Sequence, residues 1–239
     1  MSEWCSKGPT LEEDIAMSNI ALDMFGQANG FYQYAAQLDG NKSADELAFR
    51  RNEREFFNHQ LVEQENGNFG TTMVRNFLHD VFNFLFYTEL SKSKDETLSA
   101  LASKSLKEVK YHLRHSRNWL IRLGDGTAVS NTKVQDALEE LWMYTGELFE
   151  MDNIDIELLN RGIAVDNTAL KSEWPINLCM IRRLSKRVCE SKSVPPIDTK
   201  LPLAYLIVNL PSLSEVVEFS FESQVQLSSS SMHTSAPEI

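Results

Sequence analysis

The sequence predicts an all-α fold: a helical bundle followed by an irregular, Pro- and Ser-rich C-terminal extension. Long stretches of the 239 residues carry none of the seven Pro and ten Gly, which disfavours a sandwich of short strands. Apolar residues recur through those stretches at three- and four-residue intervals. Polar breaks rich in Gly, Asn and Asp separate one such stretch from the next.

Thr10 and Glu13 have capping-box spacing and predict a helix start. This helix runs through Ile15, Ile20, Leu22, Phe25 and Phe31 toward Leu38, and Asp39-Gly40-Asn41 ends it. Gly26, Ala28 and Gly30 are small residues that let another helix come close. Ser43 and Glu46 repeat the capping-box spacing before a charged segment expected to stay helical to about Glu65, where Asn66-Gly67-Asn68 breaks the chain. From Thr71 to Leu90 the pattern is apolar around more than half the helix, so this element belongs in the centre of the bundle.

After a polar turn at Ser91 to Asp95 comes a helix that includes Ser105 to Gly124. It places Glu108, His112, His115 and Trp119 along one stripe and Leu106, Val109, Leu113, Leu120 and Leu123 along another. His112 therefore falls where the core face meets the polar face. Ser130 to Glu150 is the next expected helix, with Val134, Leu138, Leu141, Trp142, Thr145 and Phe149 on its inner face. Beyond Trp174, Pro175, Pro195, Pro196, Pro202 and Pro211 arrive within 37 residues, with a strand-like run LAYLIVNL and the low-complexity end SSSSMHTSAPEI. The expected division is a helical domain over 1–174 and an atypical, poorly ordered segment over 175–239.

The net charge is −11, and the excess of carboxylates lies within residues 1–174. Such a body lacks the general electrostatic footprint for nucleic acid or an anionic membrane, and points to protein or small-molecule partners. Cys5, Cys179 and Cys189 stand at no metal-ligand spacing, and MSEWCSKGPT lacks the apolar run of a signal peptide. These features read as a reduced, cytoplasmic protein. No stretch is long and apolar enough to span a bilayer.

The candidate site residues are Asp23, Asp80, Glu108 and His112. Carboxylate-bridged di-iron bundles place a His three residues after a Glu on two helices, because that spacing aims both side chains inward. Here Asp23 is followed at that interval by Gly26, and Glu108 by Tyr111 with His112 one place later. The expected reading is a hydrogen-bonded or ion-paired polar cluster in which no residue is a metal ligand and none is catalytic. Asp80 shares a face with Met73, Phe77, Phe84 and Tyr87, so it is expected to be buried and paired with Lys, Arg or His. His79 and His115 are expected in solvent or beside a carboxylate. Arg114, Arg117 and Arg122 read as a solvated face, with docking of an acidic partner or a phosphate as the second reading. Phosphate-loop, dinucleotide and nucleophile-elbow motifs do not occur.

The runs LEEDIAMSNIALDMFGQANGFYQYAAQL, VEQENGNFGTTMVRNFLHDVFNFLFYTEL, KEVKYHLRHSRNWLIRLGDGT and LWMYTGELFEMDNID resemble the C subunits of bacterial phenylacetyl-CoA epoxidases, in order, from about Glu3 to Trp174. The resemblance implies a ferritin-like bundle in a multicomponent monooxygenase of phenylacetate catabolism that forms a ring epoxide. It implies a non-catalytic structural subunit with no cofactor of its own, paired with an iron-bearing catalytic A subunit. Di-iron, FAD, iron-sulfur and NADPH would belong to the other subunits, and phenylacetyl-CoA would be met only indirectly. Asp23, Asp80, Glu108 and His112 would then be the remains of a vacated centre. The resemblance further implies that the first family helix is missing and that the closing helices are replaced after Trp174, as a shifted reading frame would do. An active di-iron subunit and a degenerate, non-functional copy are the alternative readings.

Overall fold

The structure, a computed structural model, describes residues 1–179, and the side chains of residues 1–174. The expectations for LAYLIVNL, Cys189 and the Ser-rich end lie outside the described residues. The helices in chain order are α1 (Leu11–Asp39), α2 (Ala44–Phe49), α3 (Gln60–Glu63), α4 (Phe69–Leu90), α5 (Glu96–Gly124), α6 (Ala128–Trp142), α7 (Asn153–Arg161) and α8 (Asn167–Cys179). The described residues form an all-α bundle and include no strand.

The bundle is built around α4. Fourteen of its 22 residues are buried, as its nearly all-round apolar pattern requires. It packs against α5, α6, α8 and α3, while α1 lies along α5 and folds back on α2. Met73, Leu78, Leu90, Leu98, Leu141 and Leu148 are among the largest fully buried side chains. Phe82, Phe149, Trp142 and Trp174 form a run of ring contacts where the last described helix closes on the centre.

Local chemistry sets the ends. Asn68 accepts from the Thr71 amide at 3.2 Å to start α4, and Asp95 accepts from the Leu98 amide at 2.9 Å to start α5. Gly40, at φ 70°, ends α1 in the left-handed conformation that its position favours. The buried Arg75 donates to the Gln64 carbonyl at 2.6 Å, tying the turn before α4 to the helix body.

Three local expectations are corrected. Thr10 precedes α1 but forms no capping box; Glu13 turns inward to His115, and Thr10 interacts with Glu12 instead. Ser43 and Glu46 do form the box, yet α2 is only six residues long. Asn52 and Glu55 cap a separate 3-10 turn, so the expected helix to Glu65 is broken into short pieces that bury His59 and Leu61. The helix expected over Ser130 to Glu150 ends at Trp142 and tightens into a 3-10 turn, Met143–Phe149, where Thr145 donates to the Trp142 carbonyl at 2.8 Å.

Leu78 is 0% exposed at the centre, whereas Phe49 is 78% exposed. By denaturant unfolding, Leu78→Ala should cost about 2–5 kcal/mol, and Phe49→Ala should stay within about 0.5 kcal/mol of the parent.

Candidate functional site

A polar seam runs through the bundle where α1, α4 and α5 meet. It exists because α5 carries polar residues along the edge of its buried face: Ser105, His112 and Ser116 are all buried. Each charged group in the seam has a specific partner. His115 Nε2 lies 2.7 Å from Glu13 Oε2, and His112 Nε2 lies 3.0 Å from Asp23 Oδ2. Glu108 Oε2 accepts from the Gln27 amide at 2.8 Å, while the Tyr87 hydroxyl donates to the other end of that amide at 3.5 Å.

Asp80 is the most deeply buried acid of the set, at 3% exposure. Its hydrogen-bond donor is the Ser116 hydroxyl, 2.6 Å away, which also approaches the His112 carbonyl at 3.1 Å. The cation expected beside Asp80 is replaced by a neutral hydroxyl. Burial pushes its carboxyl up to about 7, and the Ser116 hydrogen bond only partly opposes this. The seam therefore buries Asp80 without a full compensating charge.

The histidines of the interior are held neutral. Burial lowers His112, against the raising influence of Asp23. The neutral ring donates from Nε2 to the carboxylate, which can only accept. Burial also lowers His79 to about 4, helped by Arg75, and its Nδ1 faces the Asn83 amide at 3.1 Å. His59, 1% exposed against the Phe82 ring, is lowered to about 3 by burial, and neither ring nitrogen has a hydrogen-bond partner among the described residues.

The four candidates thus lie on the same three helices, but they do not converge. Asp23 and His112 pair; Asp80 is engaged one turn along α5, and Glu108 is engaged with Gln27. Among the described residues no three His, Cys, Asp or Glu side chains group closely enough to hold a metal ion. The arrangement does not fit a two-iron centre: the positions that would need His are Gly26, which is exposed, and Tyr111, which packs on His112 and His115. What the seam can do chemically is hold protons at fixed places and tie three helices together.

Sequence reasoning missed Gln27, Ser116 and Glu13 as the partners. Gln27 follows Asp23 by four residues and Ser116 follows His112 by four, so helical periodicity places each on the same face as a known candidate. Glu13 gave no such signal, because capping-box spacing offered it a local role.

The fold and the seam define a class, an all-α helical bundle with carboxylate and histidine side chains on facing helices. The profile of the phenylacetic acid catabolic protein family matches residues 1–181. The chain is also 49% identical over 174 residues to the C subunit of the 1,2-phenylacetyl-CoA epoxidase of Escherichia coli (strain K12), covering 73% of this chain and 70% of that one. The chain belongs to the phenylacetic acid catabolic protein family. No helix among the described residues is long and apolar enough to cross a membrane.

Asp80 titrates near 7 when folded and near 3.8 in the unfolded chain, so the folded state holds this proton more tightly. Its contribution to stability is present below pH 4 and is lost as pH rises from about 4 to 7. Asp80→Asn keeps an oxygen for Ser116 and removes that loss. The stability of the variant relative to the parent should therefore climb across pH 4–7, by up to about 4 kcal/mol at ~1.4 kcal/mol per pKa unit, in parallel urea titrations. A difference that does not change with pH would contradict the buried, unpaired carboxyl.

Proposed function

We propose that this chain is a non-catalytic structural subunit of a phenylacetyl-CoA epoxidase, pairing with an iron-bearing catalytic subunit in phenylacetate breakdown. The observation that carries the reading is the partnering of the candidate ligands. Asp23 is engaged by His112, Asp80 by Ser116 and Glu108 by Gln27. A carboxylate can accept such a bond and still ligate a metal; what supports the reading is that these bonds draw the candidates to separate partners, while Gly26 and Tyr111 stand where histidine ligands would be needed.

The relative is by name one subunit of an epoxidase, which supports an assembly with other chains. In that assembly this chain supplies a rigid helical body, while iron, flavin, iron-sulfur and NADPH chemistry reside elsewhere. No step of the epoxidation is routed through its residues. Phenylacetyl-CoA meets it only through the complex.

Purified chain mixed with the catalytic subunit should form a stoichiometric complex by size-exclusion chromatography with mass detection. Elemental analysis should assign the iron to the catalytic subunit, and Glu108→Ala in this chain should leave the iron content unchanged. Near-stoichiometric iron in this chain alone, lost in Glu108→Ala, would establish the active di-iron reading instead. Failure to form any complex would favour a degenerate copy.

A further inference from the structure

We propose that the outer stripe of α5 is a docking site for an acidic helix of another protein chain. Lys104, Lys107, Lys110, Arg114, Arg117 and Arg122 are all exposed, and their spacings of three, three, four, three and five residues keep them on one side of the helix. Ser105, Val109, His112, Ser116 and Leu120 are buried on the opposite side, toward α4. Glu108, His112 and His115 turn sideways to meet α1. The cationic stripe therefore faces away from both neighbours. It holds six of the chain's 23 Lys and Arg, in a sequence with 34 Asp and Glu. The one acid between Lys104 and Arg122 is Glu108, which is occupied by Gln27 on the α1 side.

Two observations separate this stripe from an ordinary solvated face. Elsewhere in the chain, exposed cations pair with a carboxylate three or four residues away, as in Arg50–Glu46 at 3.0 Å, Lys92–Glu89 at 2.6 Å and Arg161–Glu157 at 2.5 Å. None of the six makes an ion pair among the described residues. Lys104, Lys107, Lys110, Arg114 and Arg117 instead set like charges at those same intervals, which destabilises the helix that carries them. The guanidiniums of Arg114 and Arg122 also lie 5.6 and 5.3 Å from the ring centroids of Tyr111 and Trp119. The rings hold two planar, fork-shaped donors in place along the stripe. A row of cations that repel one another is relieved by an opposing row of carboxylates.

Shape and charge select the partner. The stripe follows the helix axis for roughly 27 Å at the α-helical rise, and a partner helix with Asp or Glu at three- and four-residue intervals presents carboxylates at the same pitch. Nucleic acid or an anionic membrane extends past the stripe and meets the rest of a chain of net charge −11, which repels it. A single phosphate reaches one or two of the six side chains on this open helix flank. The inference goes beyond the epoxidase reading and does not rest on it.

The test uses the full chain and two fluorescent probes of equal net charge: an Ala-based helical peptide with Glu at every third or fourth position, and a single-stranded DNA oligomer. By anisotropy the peptide should bind at least about tenfold more tightly than the DNA, and raising salt from about 0.05 M to about 0.5 M should weaken it at least about tenfold. Lys107→Glu/Arg114→Glu should lose at least about tenfold in affinity, whereas Lys42→Glu/Lys171→Glu, which changes net charge equally away from the stripe, should change it less than about twofold. All four side chains are exposed, so both variants should melt with the parent. If the first does not, Lys107→Gln/Arg114→Gln takes its place, with a loss of about threefold expected. No binding of the peptide, equal binding of the DNA, or an equal loss in the two charge-reversed variants would overturn the proposal. Failure here alongside normal complex formation with the catalytic subunit would leave the epoxidase reading standing, and the reverse pattern would remove that reading and keep the docking site.

Discussion

Asp80 lies at 3% exposure on the most apolar helix of the bundle, and its nearest help is one hydroxyl. A buried carboxyl in that position has two stable solutions: it is neutralised, or it is surrounded by donors. Here neutralisation carries much of the burden, and Ser116 takes the rest. That choice fixes the register of α4 against α5, because Ser116 can reach Asp80 only with the two helices at this depth. The Asp23–His112 and Glu13–His115 pairs then set α1 against α5 from the other side. The apolar packing supplies most of the stability of the bundle, and the seam selects one arrangement of its helices.

The seam and the other buried titratable groups divide into two opposed sets. Asp80 and Glu147 are raised to about 7 and Asp155 to about 6, chiefly by burial. Their stabilising effect is greatest below about pH 4 and fades toward neutrality. His59, His79 and His112 are all lowered by burial. These rings refuse protons that the unfolded chain accepts below about pH 6.5, so they weaken the fold as pH falls. Between about pH 4.5 and 6 the two sets pull against one another, which flattens the pH dependence of a bundle holding several buried ionisable groups.

Much of this was legible in the sequence, and the exceptions have physical causes. The apolar circumference of Thr71 to Leu90 marked α4 as central because periodicity reports burial directly. Ser43 and Glu46 formed their capping box because no distant group competed for either side chain. Glu13 did not, because His115, 102 residues away, offers a charge-assisted contact in a half-buried site where a local cap would have been solvated. The segment after α2 broke for a similar reason: burying His59 and Leu61 against the core outweighed the local preference for one continuous helix. The four candidate residues fell on the three helices that meet at the seam, α1, α4 and α5, and the absence of His at Gly26 and Tyr111 was visible from spacing. The satisfying partners were less visible, since a neutral Gln or Ser carries no motif of its own.

The central claim is that the side chains of the seam are partnered with one another, Asp23 with His112, Asp80 with Ser116 and Glu108 with Gln27, and, as proposed above, that they hold no iron. The most direct measurement is the ring nitrogen and proton spectrum of the histidines by long-range heteronuclear NMR, recorded anaerobically without and with ferrous iron. The account predicts a neutral His112 carrying its proton on Nε2, with signals that iron does not shift or broaden. Selective loss of the His112 and His115 ring signals at one equivalent of iron would contradict it.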